Sequence, residues 1–506
     1  MKGSRRDLLK YGALAAPLAA VGCIPSRPEV RLLPSLAPLP IPFGAPLRRL
    51  SVARPIHADA GTDIYDFTVR ASEARILPGL TTPIWGYDGI FPGPTIEARC
   101  GRSVSLRLRN QLPVPIVNHL HGGRTPPEHD GYPTDLILPA GGFPTHDHDS
   151  QARVSTGERE YSYPNDQRAA TLWYHDHRMD FTAASVWRGL AGFYILRDAD
   201  RDRLPLPQGD REIALMICDR SFEADGAFRY PLRDPLFREP PSMTDAYMGG
   251  VLGDVILVNG TPWPRLEVDA ARYRFRILNA SNARRYELAL DPVPRGGFPF
   301  VQIGSDGGLL AAPVPQRSIR IAPAERFDVV VDFSQFKIGS SVRLVNRAGS
   351  GSAGQVMRFD VTRNTRDDSF IPARLSDIPD AADGHNLQFR DFDFSFSRLT
   401  HEWLINGKPF DPMRMDARPK LNSSEIWRIQ SDFSHPVHLH LVHFRILNHG
   451  GRPGVFDSGW KDTIDLAPGE GASILVRFEG YRGRYVLHCH NLEHEDMRMM
   501  ANFEVV

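Results

Sequence analysis

Residues 488–494 of the chain read His488-Cys489-His490-Asn491-Leu492-Glu493-His494, and Met499 follows five residues later. This short segment therefore contains a thiol, three imidazoles and a thioether. A thiolate with two histidine nitrogens and a weakly bound thioether is the ligand set of a blue-copper electron-transfer site. We therefore predict a blue-copper site here, with Cys489 as its thiolate ligand.

The central tripeptide predicts a second metal site close to the first. Successive side chains of a strand point to opposite faces, so Cys489 would face one way while His488 and His490 both face the other. A single tripeptide would then join two metal sites by a short covalent path. This arrangement is typical of an oxidase that moves single electrons between two kinds of copper centre.

Three further His-x-His pairs fit strands and would each place both imidazole rings on one strand face. One such pair by itself is a weak indicator, because ordinary surface and core histidines also produce it. Four pairs, one of them containing a cysteine, are a strong indicator of metal binding. The three are His119-Leu120-His121, His175-Asp176-His177 and His438-Leu439-His440, and His435 just before the last pair supplies a second blue-copper imidazole.

These motifs resemble those of the multicopper oxidases, most closely the branch of bacterial spore-coat laccases and bilirubin oxidases. The resemblance covers nearly everything after the leader segment. It rests on the histidine motifs above and on other stretches of the chain. Those stretches are Asn118–Gly123, Leu172–His177, Ile256–Gly260, Ile303–Gly308 and Gly459–Thr463.

The resemblance implies four copper ions and a ligand set in which every position is filled. The implied type 1 (blue) ligands are His435, Cys489, His494 and, in the axial position, Met499. The implied type 2 ligands are His119 and His438, and the implied type 3 ligands are His121, His175, His177, His440, His488 and His490. An axial Met, rather than Leu or Phe, implies a lower type 1 potential.

The implied activity is that of a laccase. Such an enzyme oxidises phenolic, aminophenolic or bilirubin-like donors one electron at a time and reduces dioxygen to water with four electrons. Dioxygen reduction also needs protons, which carboxylic acids near the copper cluster can supply. Glu495, directly after His494, and Asp130 match acidic positions of the spore-coat laccases, and we predict that both act as proton donors.

Two alternatives stay open at this point. The first is a metallo-oxidase that oxidises Cu(I) or Mn(II) for metal tolerance. The second is a non-catalytic copper protein that only carries electrons. The chain has 11 Met and no Met-rich insert, which favours organic donors over Cu(I), and a complete ligand set disfavours the non-catalytic alternative.

Composition limits the fold class and the partners. Lys+Arg and Asp+Glu are equal at 60 each, so the chain has no long-range attraction for nucleic acid, and we expect no nucleic-acid partner. Short alternating runs such as Ser103–Arg109 and Ala472–Phe478 indicate half-buried strands. The pattern predicts an all-β protein of antiparallel Greek-key sandwiches, and the resemblance implies that these are three cupredoxin-like domains.

The predicted organisation has five parts. Copper ligands occur only in the first and last thirds of the chain, so the middle domain would separate the other two and shape the substrate cleft. We expect a monomer with a small-molecule electron donor. The predicted parts are a signal segment 1–23, a Pro-rich linker 24–50 and cupredoxin domains 51–201, 202–375 and 376–506.

The leader and the remaining cysteines carry further expectations. Arg5 and Arg6 precede a short apolar run, which predicts a twin-arginine signal and export to the periplasm or cell envelope. Cys23 partly fits a lipoprotein cleavage box and is a candidate lipid anchor. Cys100 and Cys218 could form a disulfide, but their context favours two free, buried thiols. A fifth pair, His146-Asp147-His148, lies in a loop-like stretch and is predicted to bind no metal.

Overall fold

The structure, a computed structural model, describes residues 28–144, 149–378 and 387–506. Strands make up nearly all of its regular elements, which confirms the all-β prediction. The predicted signal segment with Cys23, the pair His146 and His148, and residues 379–386 at the start of the predicted third domain lie outside the described residues. None of the helices in the described part of the chain has the length and apolar character that a membrane span requires.

The proline-rich segment lies along the middle domain in an extended conformation. Strand β1 (Arg31–Leu33) pairs in parallel with residues 251–253. Beyond it, the backbone N–H groups of Phe43 and Leu47 donate to the carbonyls of Trp263 and Arg265. Proline cannot donate a ladder hydrogen bond, which suits a segment bound by a few spaced contacts. The residues predicted to be a linker are therefore fixed to the domain surface from residue 28 onward.

The first domain is a sandwich of two sheets with one shared core. One sheet has the order β10-β6-β3-β2 with β4 on β3, the other has the order β5-β12-β11-β7, and β8 and β9 form a separate pair. Its strands are β2 (His57–Ala58), β3 (Thr62–Ala74), β4 (Thr82–Tyr87), β5 (Gly93–Arg99), β6 (Ser103–Asn110), β7 (Asn118–His121), β8 (Ile137–Leu138), β9 (Ser155–Thr156), β10 (Glu158–Tyr163), β11 (Ala170–Asp176) and β12 (Ala191–Arg197), with helix α1 (Thr182–Arg188) between the last two.

The middle domain has an eight-stranded and a five-stranded sheet around the largest apolar core. Its strands are β13 (Glu212–Phe222), β14 (Phe228–Arg229), β15 (Val251–Gly253), β16 (Val255–Val258), β17 (Thr261–Pro262), β18 (Arg265–Ala270), β19 (Arg272–Asn279), β20 (Tyr286–Asp291), β21 (Phe300–Ser305), β22 (Gly308–Gln316), β23 (Ile319–Ile321), β24 (Arg326–Asp332), β25 (Ser341–Asn346) and β26 (Gln355–Asn364). Trp173 and Phe193 of the first domain pack into the same core, so the two domains adhere through apolar contact.

The third domain repeats the two-sheet plan, with sheet orders β28-β27-β29-β33-β31 and β32-β30-β34-β35. Its strands are β27 (Gln388–Ser397), β28 (Glu402–Ile405), β29 (Ser424–Ser431), β30 (His435–Leu439), β31 (Phe444–His449), β32 (Thr463–Leu466), β33 (Gly471–Arg477), β34 (Gly483–Cys489) and β35 (Met500–Val505), with helix α2 (Leu492–Asp496) between the last two. The four-stranded sheet carries both histidine motifs of this domain, just as the four-stranded sheet of the first domain carries the other two. The expected three β-sandwiches are thus confirmed.

Candidate metal centres

The predicted type 1 ligands meet at one end of the third domain. Cys489 ends β34 opposite Val437 of β30, the strand that His435 begins. The Cys489 Sγ lies 3.3 Å from the His435 Nδ1 and 3.5 Å from the His494 Nδ1, and these two nitrogens are 3.2 Å apart. All three residues are buried, so their donor atoms converge on a point shielded from water.

The turn between Cys489 and His494 is held by Asn491. This residue caps helix α2 by accepting a hydrogen bond from the Glu493 amide, a role for which Asn is strongly preferred. The backbone N–H of Asn491 donates to the Cys489 Sγ at 3.4 Å. The helix thereby brings His494 back to the thiol. The buried Met499 follows, and its carbonyl accepts a hydrogen bond from the Cys489 amide at 3.1 Å.

The other eight predicted ligands lie where the first and third domains meet. Register within each domain aligns the motifs, because His175 is opposite His119 and His438 is opposite His488. Between the domains the rings stack directly. His119 lies on His440 with centroids 3.8 Å apart, and His121 lies on His438 with centroids 3.6 Å apart.

The resemblance implies two triplets and a pair among the eight rings, and the shortest ring contacts cross between these groups. The first triplet, His121, His175 and His490, has centroid separations of 5.1 to 5.8 Å. The second triplet, His177, His440 and His488, has centroid separations of 4.9 to 5.3 Å. The pair, His119 and His438, has a centroid separation of 5.8 Å.

Several buried ring nitrogens in this cluster lack a hydrogen-bond partner, which suits the cluster to binding metal ions. Leaving such an atom unpaired costs about 1–3 kcal/mol, and here several occur side by side. In His119 and His438 the Nδ1 is held by a backbone carbonyl, of Asp130 at 2.6 Å and Asp462 at 2.8 Å, which leaves the Nε2 for a metal. Among the described residues, the cluster nitrogens without a hydrogen-bond partner are His119 Nε2, His121 Nδ1, His175 Nε2, His177 Nδ1, His438 Nε2 and both of His490.

The electrostatics of the cluster also suit metal binding. Burial lowers the pKa of His175 to about 3 and that of His177 to about 4, so both rings are neutral at physiological pH. Neutral imidazole is the form that ligates metals. In contrast, burial raises the pKa of the Cys489 thiol, so this thiol would lose its proton to solvent only when a metal ion binds the sulfur in its place. Both donor sets therefore fit metal ions.

The two predicted carboxylates both lie against rings of the cluster. The Glu495 oxygens are 3.4 Å from the His177 Nδ1 and 3.2 Å from the His488 Nδ1. The Asp130 Oδ2 is 2.7 Å from the His440 Nδ1. Both acids are buried, and each contacts a ring nitrogen on the side away from the convergent nitrogens.

The two carboxyl groups titrate in opposite directions. Burial alone would raise the pKa of Glu495, but the adjacent rings of His177 and His488 lower it to about 2. For Asp130, burial raises the pKa well above its usual range. One acid is therefore suited to remain ionised and the other to hold a proton beside the cluster.

A third carboxylate at the cluster, Asp462, was not predicted from the sequence. Its Oδ1 lies 3.1 Å from the His121 Nε2, and its carbonyl accepts from His438. Arg326 of the middle domain donates to the same carboxylate and also to the Thr171 carbonyl of the first domain. Burial would raise the pKa of Asp462, but Arg326 lowers it well below its usual range.

Only indirect evidence in the sequence pointed to the contact between Arg326 and Asp462. Asp462 lies in the stretch Gly459–Thr463, which matched the family without a stated role. The middle domain therefore does more than separate its neighbours, because Arg326 joins all three domains beside the cluster.

Cys100 and Cys218 are both free in the structure, as the sequence analysis favoured. Cys218 is buried as expected, whereas Cys100 is only half-buried.

His443 also borders the histidine cluster, because its Nε2 lies 3.6 Å from the Asp462 carboxylate.

The chain is similar to known proteins over most of its length. Residues 68–201 and 377–506 match family models described as multicopper oxidase. The chain is 37% identical to a laccase of Bacillus stratosphericus, over 92% of this chain and 98% of that protein. It is 34% identical to a bilirubin oxidase of Albifimbria verrucaria, over 92% and 80%. The crystal structure of a laccase from Pediococcus acidilactici superposes with a TM-score of 0.80 at 31% identity, covering 94% and 96%.

Proposed function

The chain belongs to the multicopper oxidase family, and from that membership we propose that it is a laccase-type oxidase. It takes single electrons from small phenolic, aminophenolic or bilirubin-like donors and reduces dioxygen to two waters with four of them. The observation that carries this proposal is the tripeptide 488–490. Its cysteine converges with His435 and His494, while His488 lies against His177 and His490 lies against His175 in the histidine cluster.

The donor atoms support four copper ions. The type 1 copper would be held by His435, Cys489, His494 and Met499. The type 2 copper would be held by His119 and His438, and the type 3 pair by the triplets His121, His175, His490 and His177, His440, His488. When bound, copper supplies the one-electron redox chemistry.

The protein itself supplies the path for electrons and the handling of protons. The backbone of Cys489 is bonded to both His488 and His490, so an electron accepted at the type 1 site reaches the cluster through two adjacent residues. Glu495 faces His177 and His488, and Asp130 faces His440. Asp130 can hold a proton beside the cluster, whereas the ionised Glu495 can accept a proton and pass it on, and burial keeps bulk water away from both.

A metallo-oxidase is the second candidate function. One observation favours it: the Asp432 carboxylate is partly exposed and lies 3.6 Å from the His435 Nε2, where a metal cation could deliver its electron. The lack of a Met-rich insert counts against Cu(I) as the main donor. We also propose that the chain acts as an exported monomer in the periplasm or cell envelope, with Cys23 as a candidate anchor.

Oxygen uptake by the copper-loaded protein tests this function. It is measured in parallel with 2,6-dimethoxyphenol, bilirubin and Cu(I), using Cys489→Ser as the blank. Cys218→Ser is the matched control, because it removes another buried thiol that lies far from the histidines in the middle-domain core. We expect rapid uptake with the organic donors that is lost only in Cys489→Ser.

The other outcomes separate the alternatives. Uptake with Cu(I) alone would establish the metallo-oxidase. Protein that shows the blue thiolate band but takes up no oxygen with any donor would establish an electron carrier instead.

A further inference from the structure

One proposed type 1 ligand is bound on its outer nitrogen by the middle domain. The His494 Nδ1 faces the Cys489 sulfur, whereas its Nε2 lies 3.2 Å from the Gly249 carbonyl oxygen. The Asn491 side chain donates to the same carbonyl at 3.1 Å. His494 is only 2% exposed, so water hardly competes for this contact. A ligating histidine that donates its second N–H to a carbonyl keeps its ring orientation and binds the metal more strongly.

The residues on either side of Gly249 also contact the third domain. The Met248 carbonyl accepts a hydrogen bond from the Trp403 indole N–H at 3.1 Å. The Val251 backbone N–H donates to the Glu493 carboxylate at 3.2 Å, within the short helix α2 that carries His494. Segment 248–251 of the middle domain is therefore bonded at several points to the surroundings of His494.

The same segment packs on the N-terminal strap, residues 29–33. The Arg31 backbone N–H donates to the Gly250 carbonyl at 2.9 Å, and β1 then pairs in parallel with β15. The backbone of Glu29 lies so close that a Cβ added at Gly249 would stand 2.5 Å from the Glu29 carbonyl oxygen. Glycine has no Cβ, so it permits this approach of two backbones. The segment therefore contacts the strap as well as the type 1 helix.

We propose that the strap is a positioning element of the type 1 site. By bracing segment 248–251, it keeps the Gly249 carbonyl at hydrogen-bond distance from His494. This proposal rests on the laccase-type function, because it requires a copper ion at His494 and Cys489. A loosened strap weakens the hydrogen bond, makes the imidazole a poorer electron donor and favours Cu(I) over Cu(II), which raises the type 1 potential. Copper stays bound, because all four proposed ligands belong to the third domain.

A matched pair of proline substitutions tests the strap. Arg31→Pro removes the N–H that donates to Gly250, and Leu36→Pro removes an N–H that donates to the Phe222 carbonyl at 2.7 Å. Both side chains are exposed, and both hydrogen bonds tie the N-terminal segment to the middle domain. Only the first bond reaches segment 248–251, so the two variants match in chemistry and differ in position.

The first measurement needs no copper. Hydrogen–deuterium exchange of the copper-free protein is followed by mass spectrometry in peptides that cover residues 249–253 and 491–497. We expect exchange about tenfold faster in both peptides of Arg31→Pro, and wild-type exchange in Leu36→Pro. Unchanged exchange in Arg31→Pro overturns the proposal. Equally fast exchange in Leu36→Pro also overturns it, because the strap would then act only on the stability of the whole domain.

The second measurement is the type 1 potential of the copper-loaded protein. At a fixed applied potential, the ratio of Cu(I) to Cu(II) should rise about threefold in Arg31→Pro, a shift of about 28 mV, while Leu36→Pro titrates like the wild type. A blue Arg31→Pro protein with the wild-type potential overturns the proposal alone. A wild-type protein without a blue band refutes the laccase-type function and the proposal with it, so the two failures are distinct.

A glycine substitution decides if Arg31→Pro fails to fold. Gly249→Ala places a methyl group against the Glu29 backbone, and Gly141→Ala is its control, because a methyl group at Gly141 meets open space. We expect faster exchange and a raised potential in Gly249→Ala and neither change in Gly141→Ala. Wild-type exchange and potential in Gly249→Ala overturn the proposal.

Discussion

The two proposed metal centres differ in how much of the fold each one requires. The proposed type 1 site is built within the third domain, from the start of β30, the end of β34 and the short helix α2. The histidine cluster takes four rings from the first domain and four from the third. Arg326 of the middle domain donates to Asp462 beside them. One site is therefore a local structure, whereas the other exists only when three domains are docked.

This contrast predicts which substitutions can cost each site its metal. Local sites lose their metal when their own strand ends change. A site at a domain junction can also lose its metal through residues that touch no metal at all. Four changes test the contrast, from the largest expected effect to the smallest.

Arg326→Gln should affect the cluster and spare the type 1 site. Removing one partner of a buried ion pair costs about 3–5 kcal/mol, and the loss here falls on the junction between domains. We expect type 2 and type 3 copper to be released at lower chelator concentration while the blue band persists, as measured by metal content and absorption. Arg274→Gln is the control, because its Asp328 partner belongs to the same domain. Simultaneous loss of both centres in Arg326→Gln would refute the contrast.

Glu495→Gln should slow dioxygen reduction without slowing type 1 reduction. Positioned acids contribute about 10²–10⁴-fold, so we expect at least about a hundredfold slower reoxidation in stopped-flow experiments. Glu493→Gln is the matched change in the same helix, since Glu493 contacts Asn282 and Tyr230 instead of the cluster rings. Equal reoxidation rates in the two variants would show that Glu495 supplies no protons.

The third test concerns a histidine that belongs to neither centre. Burial alone would lower the pKa of His449, but its contacts with Asp457 and Glu470 raise it to about 9. Because the pKa is raised on folding, protonated His449 stabilises the fold. This stabilisation is complete at a pH below the unfolded-state pKa of about 6.5, and it is lost as the pH rises through about 9. It amounts to at most about 3 kcal/mol.

The measurement is thermal unfolding of the copper-free protein between pH 6 and pH 10. We expect the wild type to lose more stability across this window than His449→Gln, in the transition of the third domain. Parallel pH profiles for the two proteins would contradict the assignment.

Met499→Leu should have the smallest effect, confined to the type 1 site. Loss of the axial thioether raises the potential of a blue-copper site. We expect a rise on the order of 59 mV, equivalent to a tenfold change for one electron, with the cluster unaffected. Redox titration of the blue band measures it, and an unchanged potential would show that Met499 is not an axial ligand.

Much of the site could be read from residue spacing because strand geometry is short-range. Side chains alternate between the two faces of a strand, which separates Cys489 from His488 and His490 whatever the surrounding fold. The same two-residue alternation of polar and apolar residues predicted the all-β class. The roles of Glu495 and Asp130 required the family resemblance. Asp462 and Arg326 were missed because the residues are 136 positions apart, and nothing in either local sequence marks the partner.

The sequence by itself determined the ligand types, their pairing along strands and the sandwich class, because each depends on neighbours within a few residues. Only the tertiary structure decided which rings stack across the domain junction, that Arg326 joins three domains, and that the Gly249 carbonyl lies 3.2 Å from the His494 Nε2. Those contacts arise from the docking of distant surfaces, and burial then gives them their strength by excluding water from the charges and ring nitrogens they enclose.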